Sequence, residues 1–259
     1  MKETVDYIVN WLSDYAQKAG SNGFVVGISG GIDSALTSTL CAMTGKKTVL
    51  LNMPIRQTKA EYDRAQEHIA DLSNRFVNVN SFEINLTEVF EQFEKVMPFA
   101  LDENWLALAN SRSRLRMTTL YALAQQQNCL VAGTGNKVED FGIGFFTKYG
   151  DGGVDLSPIA DLTKTEVFQL AKFLGTVNSI LEAKPTDGLW PDGRSDEDQI
   201  GATYPELEWA MSVDKSISDT SSLSPREQEV LRIYRKFNRA NAHKMNPIPV
   251  CILPDTFRF

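Results

Sequence analysis

Apolar residues recur along this chain with two periods that alternate. Val5, Ile8, Val9, Leu12, Tyr15 and Ala16 fall at helical spacing up to Gly20, with Ser21-Asn22-Gly23 following, which predicts an amphipathic opening helix. Phe24 to Ser29 is then a short run suited to a buried strand. Gly30-Gly31 breaks it, and Asp33 to Met43 has the spacing of a helix closed by Gly45. The same alternation continues. A strand over Thr48 to Met53 precedes a helix over Lys59 to Leu72, and a strand over Phe76 to Ile84 precedes a helical face of Leu86, Val89, Phe90, Phe93 and Met97. A long helix from about Glu103 to Gln127 leads into a strand over Cys129 to Gly133. Strands separated by helices pair in parallel through right-handed crossovers, so the pattern predicts a doubly wound parallel α/β sheet flanked by helices, in a single domain.

In such sheets ligands bind beyond the carboxyl ends of the strands, near the point where strand order reverses. Two glycine-rich strand ends stand out: the turn after Ser29 and the loop opening at Gly133. After Gly133 the chain is rich in glycine and charge up to a helix over about Lys164 to Leu174. Residues 184–203 (KPTDGLWPDGRSDEDQIGAT) read as one long loop. Helices are expected over Tyr204 to Ser216 and Pro225 to Arg239, then an extended apolar tail from Asn246 to Pro254. Within one domain spanning 1–259, a nucleotide-binding core covers about 21–175 and a part made of helices and loops about 176–259.

At 259 residues, 42% hydrophobic and 23% charged, the chain can bury a core without disulfides. No run approaches the roughly 18 to 20 apolar residues of a membrane span, and the N-terminus has no signal-peptide core, which predicts a cytoplasmic protein with no membrane partner. Cys41, Cys129 and Cys251 match no metal or redox spacing and read as reduced, buried thiols. The net charge of −7 argues against a nonspecific nucleic-acid surface. A polyanionic ligand has to be met locally, and Arg112, Arg114 and Arg116 form the densest basic cluster.

The segment Gly27-Ile28-Ser29-Gly30-Gly31-Ile32-Asp33-Ser34 joins a buried strand to a helix, so backbone N–H groups and the helix dipole face an incoming anion. It is not a Walker loop, because no lysine occurs before Lys46. Nor is it a dinucleotide fingerprint, since the second strand ends Leu51-Asn52-Met53-Pro54, without the acidic residue that would bind ribose.

The SGGxDS signature resembles the pyrophosphate loop of the ATP pyrophosphatases, an adenine nucleotide alpha hydrolase-like fold. The run Asn110 to Met117, Gly133-Thr134, Gly144 to Asp155 (GFFTKYGDGGVD), Leu162-Thr163-Lys164, Lys184-Pro185-Thr186 and His243-Lys244 resembles ammonia-dependent NAD synthetase over nearly the whole chain. That resemblance implies ATP-dependent amidation of deamido-NAD with ammonia, giving NAD, AMP and pyrophosphate through an adenylated nicotinate. It implies ATP contacts from Gly27 through Ser34, Thr134, Lys164 and Thr186. Asp33 and Glu139 are implied as Mg²⁺ ligands, with Arg114, Lys148, Asp155, His243 and Lys244 on deamido-NAD. Where such relatives read GTDHAAE, this chain reads GTGNKVED with one extra residue before Gly144, so Asp140 competes with Glu139. Asp151 or Asp155 is expected to bind and help deprotonate ammonium, and Lys164 to act in catalysis. Arg112 and Arg116, turned away from Arg114 by helical spacing, read as a solvated or ion-paired face. The short segment before the first strand leaves no room for an amidase domain, which points to free ammonia as the nitrogen source. The resemblance further implies a homodimer, and loops at 84–87 and 184–203 are expected to close over ATP. Rival readings are another amide- or thio-forming enzyme of the superfamily, and a noncatalytic nucleotide sensor.

Overall fold

A computed structural model of the chain describes residues 1–186, 195–217 and 219–258. Helix α1 (Lys2–Lys18) buries Val5, Ile8, Leu12 and Ala16, as their spacing requires. There follow β1 (Gly23–Gly27), α2 (Ile32–Met43), β2 (Lys47–Asn52), α3 (Lys59–Arg75), β3 (Val79–Glu83), α4 (Thr87–Lys95), α5 (Trp105–Gln127) and β4 (Cys129–Val131). The four strands form one parallel sheet in the order β3-β2-β1-β4, with Val25 opposite Val49 on one side and Val131 on the other. Successive connections run outward from β1 to β3, and the chain then returns past β1 to place β4. Strand order therefore reverses between β1 and β4, and the crevice at their carboxyl ends is where a ligand fits.

The two faces of the sheet are buried differently. Phe24, Val26 and Leu50 face a cluster built with α1, α2 and α6 (Lys164–Phe173), while Val25, Val49, Leu51 and Val131 face α4 and α5. A third apolar cluster joins α8 (Asp196–Ile200), α9 (Tyr204–Val213) and α10 (Pro225–Met245) to Val138 and Ile143 of a π-helix at Lys137–Ile143. A short α7 (Asn178–Leu181) packs Ile180 against the first cluster.

Several boundaries differ from those expected. The helix read to Leu72 continues to Arg75, whose guanidinium pairs with Asp71 at 2.8 Å, so β3 starts only at Val79. The last helix runs past Arg239 to Met245, which puts His243 and Lys244 in its final turn, where a cation complements the negative end of the helix dipole. Of the expected loop 184–203, residues 187–194 lie outside the described residues. Ser195 caps α8 through a reciprocal bond with Asp198, so that stretch is helix. Residues 84–87 lead into α4, and Leu86 is buried there. Cys41 and Cys129 are buried as expected, but Cys251 is exposed, in a tail whose described residues from Asn246 onward are all exposed.

Candidate active site

The floor of the site is the turn between β1 and α2. Gly30 has φ +81°, and a Cβ there would lie 2.5 Å from the Glu61 carbonyl oxygen, so only glycine fits. Ser34 Oγ donates to the Gly31 carbonyl at 2.9 Å, and Ser29 Oγ accepts from the Gly31 N–H at 3.1 Å. Helices α3, α6, α8 and α10 each begin with a capping box. Helix α2, with Gly31 at its N-cap, has no side-chain cap, as is also true of α1, α4, α5 and α7. The N–H groups of Ile32, Asp33 and Ser34 therefore have no intrahelical acceptor, and they face a cleft together with the positive end of the helix dipole. All of Gly27 through Ser34 line that cleft, a cavity of about 530 Å³ also bordered by Thr134, Glu139, Asp151, Lys164, Thr186 and Lys244. Both strand ends singled out by sequence meet there.

Beside the cradle lies a buried lysine between two acids. Lys164 opens α6, is 3% exposed, and places Nζ 2.5 Å from Asp33 Oδ2 and 2.9 Å from Glu139 Oε1. A cation in the first turn of a helix opposes its dipole, and these carboxylates outweigh that. Burial works against the charged lysine, yet the two acids carry its pKa above the ordinary value. Burial likewise pushes Glu139 upward, but Lys164 and the Tyr204 hydroxyl hold it below the usual glutamate range. For Asp33 burial wins over the attraction of Lys164, and the carboxyl is raised. Asn136, wholly buried, accepts from the N–H groups of Val138 and Glu139 and donates from Nδ2 to Asp33 Oδ1 at 3.0 Å. The Tyr204 hydroxyl donates to Glu139 and lies 3.2 Å from Asp196. Asn136 and Tyr204 gave no signal in the sequence beyond a polar residue in a loop and the start of a helix.

Asp33 and Glu139 offer hard carboxylate oxygens beside the cradle. Magnesium is commonly held by one or two carboxylates plus substrate phosphates, and this donor set fits it. Glu139 is the acid joined to Asp33 through Lys164; Asp140 points elsewhere. Its carboxylate lies against Gly135, where a Cβ would come within 1.8 Å of Oδ2, and it accepts no hydrogen bond from the described residues. Burial first, then the charges of Asp151, Glu139 and Asp33, push the Asp140 carboxyl well above the usual range.

The other expected residues divide. Asp151 lines the cleft, and its Oδ1 accepts from Ser113 Oγ at 2.7 Å and from the Thr147 N–H at 3.0 Å. Asp155 borders neither this cleft nor the second hollow described below. It accepts from the Tyr121 hydroxyl at 3.0 Å and the Val131 N–H at 2.8 Å, clasping the loop to α5 and β4. Arg114 and His243 also lie outside the cleft. Arg114 Nε donates to the Lys148 carbonyl at 3.2 Å, and Lys148 Nζ donates to the His243 carbonyl at 2.6 Å. Lys148 lines a second hollow of about 250 Å³, and Lys244, whose Nζ donates to the Phe146 carbonyl at 2.7 Å, borders both. These cations thus form a rim beside the cleft.

Arg116 corrects the reading of the basic cluster. Helical rotation does separate it from Arg114, but the face it turns to is the cleft. Its Nε donates to the Met53 carbonyl at 3.0 Å, and burial brings its pKa down to about 10. Arg112 lies over the Trp105 ring, 5.9 Å from its centre.

A strand-end phosphate cradle with an adjoining acid–lysine–acid group narrows the family, and comparison supplies the rest. A family model described as NAD synthase matches residues 4–248. The chain belongs to the NAD synthase family. It is similar to the NH(3)-dependent NAD(+) synthetase of Mesoplasma florum, at 40% identity over 80% of this chain and 83% of that relative. The enzyme of the same description from Archaeoglobus fulgidus is 37% identical, with 98% of each chain covered. Among solved structures, one described as NMN synthetase from Francisella tularensis superposes with a TM-score of 0.83 at 34% identity, again covering 98% of each chain. The NAD synthase fold is thus present from the first helix into the C-terminal tail. Among the described residues no helix is long and apolar enough to cross a membrane.

Proposed function

We propose that this chain is an ammonia-dependent NAD synthetase, a ligase that amidates deamido-NAD to NAD while cleaving ATP to AMP and pyrophosphate. The observation that carries this reading is the uncapped N-terminus of α2 beside the Asp33–Lys164–Glu139 group in one cleft. A carboxylate is a poor electrophile, so one nicotinate oxygen first attacks the α-phosphorus of ATP and pyrophosphate leaves. The N–H groups of Ile32, Asp33 and Ser34 meet the charge that develops on the leaving group, and Lys164 sits beside it. Thr134 and Thr186 add hydroxyls to the same cavity. Ammonia then attacks the acyl carbon, the C–N bond forms, the C–O bond to AMP breaks and one proton is lost. Asp151, on the cleft wall, receives the ammonium. Asp33 and Glu139 would hold Mg²⁺, which would supply neutralisation of phosphate charge.

Arg114, Lys148, His243 and Lys244 bind the phosphates of deamido-NAD at the rim, with Asp155 fixing the loop behind them. The active unit is a homodimer, a reading supported by the exposed Leu106 at the start of α5 and by Ile248, Val250 and Ile252 in the tail. A second reading has one specific support, the likeness to the Francisella tularensis structure described as NMN synthetase. In it the acid is nicotinate mononucleotide and the product nicotinamide mononucleotide, with the same chemistry at the carboxyl group. Purified protein given ATP, magnesium, ammonium and either acid distinguishes the two. The first reading requires NAD from deamido-NAD at the higher kcat/KM. A higher kcat/KM for the mononucleotide replaces it, and ADP as product rejects both.

A further inference from the structure

We propose that Arg64 of α3 is a pyrophosphate ligand, whose guanidinium fork takes oxygens of the leaving group as it departs from ATP in the cradle. The inference rests on the adenylation reading above and adds a cation outside the set of residues that the sequence resemblance implies.

Three observations support it. The first is contact with the cradle. Arg64 Nε donates to the Gly30 carbonyl at 3.1 Å, and the Gly31 N–H of the same peptide unit donates to Ser29 Oγ. That peptide is held at both ends, and Arg64 borders the cleft beside it. The second is donor capacity. A guanidinium carries five N–H donors in a rigid plane, and Nε uses one. Those on Nη1 and Nη2 meet no acceptor among the described residues, and Arg64 forms no ion pair there; Glu61, one turn earlier, is engaged with the Thr58 N–H and hydroxyl. The third is charge. As the bond to the α-phosphorus breaks, negative charge gathers on the leaving group. Asp33 and Glu139 flank Lys164, so that group brings no net positive charge to meet it. Lys244 donates to the Phe146 carbonyl, Lys184 is exposed, and Arg116 has its Nε on the Met53 carbonyl past the end of β2. Arg64 is the cleft cation anchored to the cradle itself.

Local packing explains why the arginine is there. Thr58 and Glu61 form the capping box that starts α3, and the turn from Glu61 to Ala65 lies directly against Gly30. A Cβ on Gly30 would stand 2.5 Å from the Glu61 carbonyl oxygen and 3.4 Å from the Arg64 Cβ. Glycine therefore lets α3 approach, and the approach sets the root of Arg64 beside the loop. Paired planar donors then match two phosphate oxygens at once, which a lysine in this place would not do.

Kinetics and binding of Arg64→Met test this. In the exchange of labelled pyrophosphate into ATP, with the acid present and ammonium absent, the KM for pyrophosphate should rise at least about tenfold. Affinity for AMP, which lacks the β- and γ-phosphates, should change less than about threefold in calorimetry. An unchanged pyrophosphate KM overturns the proposal. So does a parallel loss of AMP affinity, which would make Arg64 only a prop for the turn. Should the variant fail to fold, crystals of the unaltered enzyme soaked in pyrophosphate decide: pyrophosphate oxygens within hydrogen-bond distance of Nη1 or Nη2 support it, and any other result overturns it. An unaltered enzyme without acid-dependent exchange would instead defeat the adenylation reading itself.

Discussion

Lys164 shows how much a single side chain holds together. It is the only cation within bonding distance of both Asp33 and Glu139 among the described residues, and removing it leaves two buried acids facing each other. Breaking a buried pair from one side costs about 3 to 5 kcal/mol. Lys164→Met should therefore lower the unfolding free energy by about that amount in urea titration and abolish pyrophosphate exchange; a change under about 1 kcal/mol would contradict the geometry. Tyr204→Phe is a finer probe, since it removes only the hydroxyl donated to Glu139. A hydrogen bond to a charged group contributes about 1.5 to 3 kcal/mol, and the magnesium concentration for half-maximal activity should shift while the deamido-NAD KM holds. The cradle residues were legible from the chain because Ser-Gly-Gly after a buried strand has few uses. Tyr204, Asn136 and Arg116 were not, because each acts from an ordinary helix or loop position that only the tertiary fold aims at the cleft.

Between elements, His68 links α3 to the cradle helix. Its Nε2 lies 2.8 Å from Ser38 Oγ, which in turn donates to the Ser34 carbonyl at 2.7 Å, and its Nδ1 is buried with no partner among the described residues. Burial lowers its pKa to about 4, against an ordinary value near 6.5. The unfolded chain thus binds the proton more readily, so stability is fully present above about pH 6.5 and is lost as pH falls towards 4, by up to about 3 kcal/mol. Urea midpoints across that range should show the slope, and His68→Gln should flatten this part; equal slopes in both proteins would refute it. Periodicity carried the order of strands and helices well, since each element buries one face. It carried less at the ends. Side-chain caps and ion pairs extended α3 and α10, and a capping box made α8 out of what read as loop. The π-helix had one visible sign, an extra residue in a familiar pattern, whose structural meaning depends on which helices pack around it.

At the scale of the whole molecule, the reversal of strand order between β1 and β4 brings two glycine-rich loops to one cleft, and α6 carries Lys164 into it from beyond both. The cationic rim comes from the last turn of α10 and the loop around Lys148, a local basic surface on a chain of net charge −7 that suits the two polyanions of the proposed reaction. If the exposed apolar tail and the start of α5 join two copies, sedimentation should give a dimer that Val250→Asp weakens; a monomer with full activity would remove that element of the proposal. The central claim is that pyrophosphate leaves ATP in the cradle as the nicotinate acid becomes adenylated. Its most direct test is transfer of labelled pyrophosphate into ATP without ammonium: the label should enter ATP only when the nicotinate acid is present, and exchange independent of that acid, or labelled inorganic phosphate and ADP instead, would contradict it.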